Sequence, residues 1–258
     1  MALSPEKFEQ HLATATALKP AYLLAGDEHL LLFEAADALR RRARELGYTE
    51  REVYEAESGF DWDELARAGA SLSLFASRRV IDLRLPTGRP GTEGAAAITA
   101  LLDSPPPDTV LLVTSPTWSK SHETAWVNAL AAVGPVVVYW PLKPHELPDW
   151  IARRATRAGL KLTPDAVGLL VERMEGNLLA AAQEIDKLVL LAQGRALDAG
   201  ALDALVADSA RFDVFRLVDV ALGGETARAV RVIAALRAEG EAVPGLIGPV
   251  AMALATLV

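Results

Sequence analysis

The sequence predicts an α/β protein: a parallel sheet of five strands covered by helices, followed by an all-helical part. Three observations carry this expectation. Up to Trp140, short apolar runs alternate with segments of helical period, the pattern of right-handed strand–helix–strand crossovers. Two of the runs, Val110–Val113 and Val136–Val138, are continuously apolar, as strands buried on both faces require. After Trp140 the strand signals cease, and Pro141, Pro144 and Pro148 mark a connector, since each lacks a backbone donor and turns its predecessor away from helix.

In chain order, strands are expected at Ala21–Ala25, Glu52–Glu55, Arg79–Leu85, Thr109–Thr114 and Pro135–Trp140. Helices fall around Glu28–Glu45, Asp61–Ala70, Gly94–Leu102 and Glu123–Ala132. Beyond the connector a helix is expected over Glu146–Ala158. Thr163 then caps a helix with Pro164 in its first turn, running to Met174. Gly176-Asn177 breaks it, and Leu178–Gln193 follows with Leu178, Ala181, Ala182, Ile185, Leu188 and Val189 at three- and four-residue steps, an amphipathic stripe. Asp198–Ala207 reads as a short closing helix. A second punctuation at Ser209–Asp213 precedes a helix pair, Val214–Leu222 and Thr226–Glu239, joined at Gly223-Gly224.

The 258 residues are 51% apolar and 23% charged, which excludes disorder over most of the length. Without cysteine there is no disulfide, thiol nucleophile or thiolate metal site. His11, His29, His122 and His145 are far apart, so no metal and no cofactor is expected. A net charge of −8 argues against a free-standing, sequence-unspecific DNA binder, whose phosphate affinity needs a positive surface. Met1–Gln10 carries Glu6, Lys7 and Glu9 and no apolar signal core. The longest uncharged apolar stretch, Val243–Val258, contains Pro244 and Pro249 and falls short of the roughly 20 residues that span a bilayer. A cytoplasmic protein with no membrane partner is expected.

In a parallel sheet of this kind the loop after the first strand is where a nucleotide would bind. Here it reads Gly26-Asp27-Glu28-His29-Leu30-Leu31-Leu32-Phe33. A phosphate loop needs Gly-x-x-x-x-Gly-Lys-Ser/Thr: glycines for close backbone approach, a lysine for the terminal phosphates, a hydroxyl for magnesium. Aligned on Gly26, those last three positions are Leu31, Leu32 and Phe33, and all three functions are missing. Asp27-Glu28 would repel a triphosphate and is read as a helix N-terminal acid pair. Asp82, alone in its strand, is read as a structural polar residue or an edge-strand position, not a magnesium ligand.

Four segments resemble, in order and spacing, the delta-subunit family of the bacterial DNA polymerase III clamp loader. They are Tyr22–Glu28 (YLLAGDE), Ser71–Val80 (SLSLFASRRV), Glu175–Leu188 (EGNLLAAAQEIDKL) and Asp208–Phe215 (DSARFDVF). The resemblance covers essentially the whole chain. It implies an AAA+-like first domain over residues 1–141, a helical lid over 142–209 and the start of a helical collar over 210–258. On that reading the chain stops inside a collar helix, and Gly245–Val258 is an interface face. Catalytic relatives carry a Gly-x-x-Arg sensor in the lid; the matching stretch Gly176-Asn177-Leu178-Leu179 ends on Leu179 where that arginine would stand.

The resemblance further implies a subunit that opens the sliding clamp, is moved by its neighbours' ATP and hydrolyses none. Its implied partners are the beta clamp, the gamma/tau ATPase subunits, delta-prime, and primed DNA through the assembled complex. Bacterial clamp binders resemble a Gln-Leu-Ser/Asp-Leu-Phe pentapeptide. Ser71-Leu72-Ser73-Leu74-Phe75 matches it at every position but the first, where Ser71 replaces glutamine. Leu74 and Phe75 side by side would form an apolar anchor of the hot-spot kind.

Other features have plainer readings. Arg40-Arg41-Arg42 with Arg44 is read as the solvated face of a helix. Trp118, Trp126, Trp140 and Trp150 show no interleaving with basic residues and are read as core or domain-junction anchors. Glu175 and Glu184 lack a nucleophile, ligand set or pocket, so no catalytic residue is assigned. Two alternatives stay open: an active AAA+ NTPase, or another loader subunit, with an aberrant phosphate loop, and a small-molecule α/β enzyme. Against the last stands the absence of a Gly-x-Gly-x-x-Gly or nucleophile elbow.

Overall fold

The computed structural model describes residues 2–70, 78–174 and 176–209, together with Gly224. It divides into two compact units, Met1–Leu142 and Lys143–Val258. The first holds a six-stranded, all-parallel sheet. In chain order its elements are β1 (Ala2–Leu3), α1 (Pro5–Thr14), β2 (Ala21–Ala25), α2 (His29–Glu45), β3 (Glu50–Glu55), α3 (Trp62–Ala70), β4 (Arg79–Arg84), α4 (Gly91–Asp103), β5 (Thr109–Ser115), α5 (Ala125–Val133) and β6 (Val136–Val138). The spatial order is β1-β6-β2-β5-β4-β3. Leu23 lies opposite both Val113 and Val136, and Ile81 opposite both Leu111 and Glu52.

All five expected strands are present, and β1 adds a sixth at the edge, pairing Ala2 with Val136. Two residues carry no periodicity, which is why β1 was not legible. Helix α1 also had no reading from sequence, although its start carries a signal: Ser4 accepts a hydrogen bond from Lys7 N–H at 3.4 Å and Pro5 takes the first turn.

Successive strand residues point to opposite faces, so one run feeds two cores. Tyr22, Leu24, Val110, Leu112 and Val137 pack under α1 and α2, against Phe8, Leu12, Leu32, Ala36 and Leu39. Leu23, Ile81, Leu83, Leu111 and Val113 pack under α3, α4 and α5, against Leu65, Ile98, Trp126 and Leu130. Each such valine, leucine, isoleucine or phenylalanine contributes about 1.5–3 kcal/mol by leaving water.

Of two plain readings, one is narrowed and one corrected. Asp82 sits in β4, an interior strand between β3 and β5, and is fully buried. Its Oδ2 accepts from Arg40 Nε at 2.9 Å and Arg51 Nε at 2.8 Å, so it is structural and not an edge residue. The arginine run on α2 is therefore only partly a solvated face: Arg41 and Arg44 are exposed, while Arg40 turns inward to Asp82. Arg42 donates to Ala15 O at 2.6 Å and pairs with Glu45. Of the four tryptophans read as anchors, Trp118, Trp126 and Trp150 are buried and Trp140 is 49% exposed.

The second unit comprises α6 (Leu147–Arg157), β7 (Lys161–Leu162), α7 (Pro164–Met174), α8 (Leu178–Ala192), β8 (Ala196–Leu197) and α9 (Ala199–Ser209). The two short strands, unforeseen, pair in parallel, Lys161 opposite Ala196 and Leu162 opposite Leu197. The buried face of α8 is Leu178, Ala181, Ala182, Ile185, Leu188 and Ala192, the expected stripe with Ala192 in place of Val189. The helix pair Val214–Leu222 and Thr226–Glu239 and the run Val243–Val258 lie outside the described residues. Among the described residues no helix is long and apolar enough to cross a membrane, and no group of three or more His, Cys, Asp or Glu could hold a metal ion.

Candidate functional site

From β2 the chain goes to the far edge at β3, returns through β4 and β5, and then crosses to β6 on the other side of β2. The carboxyl end of β2 is thus the switch point at which open α/β sheets bind ligands. In this chain the backbone after β6 packs directly against the loop after β2. Gly26 has φ +135°, and a Cβ there would lie 2.1 Å from Tyr139 O, immediately after β6. Glycine is needed because another strand end approaches, where a phosphate loop would use it to approach a ligand.

Two backbone donors of the loop are bonded within the protein. Gly26 N–H donates to Ser115 O at 3.0 Å, Glu28 N–H to Tyr139 O at 3.1 Å, and Tyr139 N–H returns to Ala25 O at 2.7 Å. Asp27 Oδ1 accepts from Trp118 N–H at 3.1 Å, and His29 Nε2 donates to Pro116 O at 3.0 Å. Leu32 is wholly buried in the core, Leu31 is half-buried and Phe33 is 49% exposed. No cation or hydroxyl stands at those three positions.

The acid pair does not cap α2 as a pair. Glu28 occupies the N-cap but makes no side-chain cap hydrogen bond, and Asp27 is used to tether the segment after β5. Burial pushes the Glu28 carboxyl above its ordinary value, opposed by the Leu30 N–H and by His29.

In the second unit Leu179 is 53% exposed on the first turn of α8. The turn before it is built for capping: Gly176 has φ +84°, and Asn177 Oδ1 accepts from Ala180 N–H at 3.0 Å. Glu184 pairs with Lys187 at 3.3 Å on the same helix, while Glu175 lies outside the described residues.

Ser71, Leu72, Ser73, Leu74 and Phe75 also lie outside the described residues. What the structure describes is the chain on either side. Because α3 runs back against the parallel strands, its last residue and the first residue of β4 stand at the amino ends of the strands, opposite the crevice. Arg78 donates to Asp108 Oδ1 at 3.1 Å and to Leu46 O at 2.8 Å, and its guanidinium lies 5.6 Å from the Tyr48 ring centroid. Arg79 N–H donates to Asp108 O at 3.0 Å, and its side chain turns into the protein beneath α3. Sequence reasoning passed over this pair of arginines. The only signal was two consecutive cations opening an apolar strand.

The fold is that of an AAA+-like α/β protein in which the ends of β5 and β6 are bonded to the loop after β2. Residues 22–138 match the family described as DNA polymerase III, delta subunit. The chain is 35% identical over 242 residues to the DNA polymerase III subunit delta of Escherichia coli, covering 92% of this chain and 69% of that protein. The Haemophilus influenzae subunit delta is 28% identical over 241 residues, covering 91% and 69%. A Bacillus subtilis DNA clamp loader delta protein superposes with a TM-score of 0.63 over 95% of this chain and 75% of its own, at 20% identity, which shows the shared fold. The chain belongs to the DNA polymerase III delta subunit family.

Proposed function

We propose that this protein binds the sliding clamp of its replicative polymerase and helps to open it for loading onto primed DNA, without hydrolysing ATP itself. The observation that carries the non-catalytic part is the closed crevice: the Gly26 and Glu28 N–H groups are bonded to Ser115 O and Tyr139 O, and Leu31, Leu32 and Phe33 stand at the glycine, lysine and hydroxyl positions. Clamp contact is assigned to Ser71, Leu72, Ser73, Leu74 and Phe75 on the resemblance of that pentapeptide to clamp-binding motifs. Opening then requires tighter binding to the open clamp than to the closed one.

The chain is read as an AAA+-like part (1–141), a lid (142–209) and collar residues (210–258). Through the collar it would join the gamma/tau ATPase and delta-prime subunits, acting as a non-catalytic subunit of a DNA-directed DNA polymerase holoenzyme. The test is a pair of measurements on the same protein. Titration with the sliding clamp should show binding that Leu74→Ala/Phe75→Ala weakens by tenfold or more, since two hot-spot side chains are lost. Calorimetry with magnesium-ATP should show no binding. Unchanged clamp affinity in a folded double variant removes the contact assignment, and measurable ATP binding favours an NTPase with an altered phosphate loop.

A further inference from the structure

His122, in the segment between β5 and α5, is 6% exposed and held on three sides. Its ring stacks on Trp118, with centroids 5.2 Å apart and planes 25° apart. Its Cδ2 edge meets Gly88, in the segment after β4, where an added Cβ would stand 3.0 Å away. Its Nδ1 faces Ser119 N–H at 2.8 Å. A backbone N–H cannot turn its hydrogen aside, so Nδ1 presents a lone pair there and the imidazole carries its proton on Nε2. Placing the proton on Nδ1 instead, toward Ser119 O at 3.2 Å, would set two N–H groups against each other at 2.8 Å.

The fourth side presents a donor to a donor. Among the described residues the one hydrogen-bonding contact of Nε2 is Arg89 Nε, at 3.4 Å. A guanidinium cannot accept, whereas a buried N–H ordinarily meets an acceptor. Arg89 is exposed, touches no carboxylate among the described residues, and brings its Nη2 to 3.4 Å from Ser121 Oγ. Two donors at that separation can share one oxygen about 2.8 Å from each, and the cationic partner selects an anionic oxygen. We infer that Arg89, His122 and Ser121, where the segments after β4 and β5 meet, form a binding site for a phosphate group. One phosphate oxygen bridges Arg89 Nε and His122 Nε2, and a second lies within reach of Arg89 Nη2 and the Ser121 hydroxyl. A guanidinium, an imidazole and a hydroxyl set around one corner suit a tetrahedral anion, whereas a flat carboxylate is satisfied by an arginine fork alone. The site does not use the Gly26–Phe33 loop and needs no magnesium. With so few charge-assisted bonds it holds phosphate at about millimolar strength, too weakly to register as the nucleotide binding of an intact phosphate loop.

The test uses the full chain and two kinds of NMR measurement. Long-range proton–nitrogen spectra of the histidine rings should show His122 protonated at Nε2 and not at Nδ1. The opposite tautomer would make Arg89 an ordinary donor to Nε2 and would overturn the site. Sodium phosphate, raised at constant ionic strength, should shift the His122 Nε2 and Arg89 Nε resonances with a midpoint of about 1 mM. Sodium acetate over the same range should leave them in place. Arg89→Leu, at an exposed position, should weaken phosphate binding tenfold or more while the protein stays folded. Arg84→Leu removes a cation from the last residue of β4 and should move the midpoint less than about twofold. Methyl phosphate and dimethyl phosphate separate the sources: binding of both points to the phosphodiesters of a nucleic acid backbone, binding of the monoester alone to a terminal phosphate. No shift with any of the three phosphates, an equal shift with acetate, or equal weakening by Arg84→Leu refutes the assignment.

Discussion

Replacing Gly26 with alanine tests whether the crevice is closed as described. The residue has φ +135°, and the added Cβ would stand 2.1 Å from Tyr139 O, 2.6 Å from its carbonyl carbon and 2.7 Å from its nitrogen. None of these is a flexible side-chain end, so the chain after β6 must move. Moving it breaks the bonds from Glu28 N–H to Tyr139 O and from Tyr139 N–H to Ala25 O. Two such bonds contribute about 1 kcal/mol each, and alanine at positive φ adds about 1–2 kcal/mol of backbone strain, giving roughly 3–4 kcal/mol in all. For a chain of this length that lowers the melting temperature by about 10 °C.

Two controls separate the contributions. Gly59→Ala also has positive φ, +85°, with nothing within 4 Å of the new Cβ, and should lose only the strain, about 1 kcal/mol. Gly134→Ala lies in extended backbone at φ −161° with its Cβ 1.7 Å from Ala21 O, and should lose by contact alone. Thermal and urea unfolding followed by the buried Trp118 and Trp126 would read all three. A Gly26→Ala protein no less stable than Gly59→Ala would refute the closed crevice.

Two further outcomes follow from charges. Asp82→Ala should cost about 1.5–3 kcal/mol by removing the buried acceptor of Arg40, which keeps Asp37, and of the exposed Arg51, whereas Asp82→Leu with Arg40→Met should recover most of it, as read from urea midpoints. Because burial raises the Glu28 carboxyl above 4.5, the folded protein keeps that proton to higher pH than the unfolded chain does. Its contribution to stability therefore falls as pH rises through the raised value. Glu28→Gln should flatten this dependence, so that its stability relative to the parent grows from acid to neutral pH, measured by unfolding at a series of pH values.

Periodicity revealed the alternation of strands and helices because each strand buries both faces and each helix one, and burial leaves its mark in residue type. It placed β2, β4, β5 and the stripe of α8 within a residue or two. It did not reveal β1, whose two residues carry no pattern, nor the bonds that close the crevice. Asp27 and Trp118, like His29 and Pro116, are far apart in sequence and meet only because β5 lies beside β2. That Leu31, Leu32 and Phe33 stand where a phosphate loop carries glycine, lysine and a hydroxyl was legible, since residue types can be read directly. The backbone contacts of Gly26 were not legible, because a glycine looks the same whether it admits a ligand or a strand end. Arg40 misled for a related reason: one arginine in a basic run carries no mark that its partner is a buried aspartate on another element.

The two borders of the sheet bear on how this chain avoids its own kind. At one border β1 offers only two residues of unpaired backbone. At the other, β3 offers six, but with Glu50, Glu52 and Glu55 along it, the last two paired to Arg79 and Arg84 of the neighbouring strand. A copy of β3 laid alongside in parallel register would bring like charges together, and a copy laid on β1 would find a template of two residues. Among the described residues, sheet extension is therefore disfavoured at the β1 border and, in parallel register, at the β3 border.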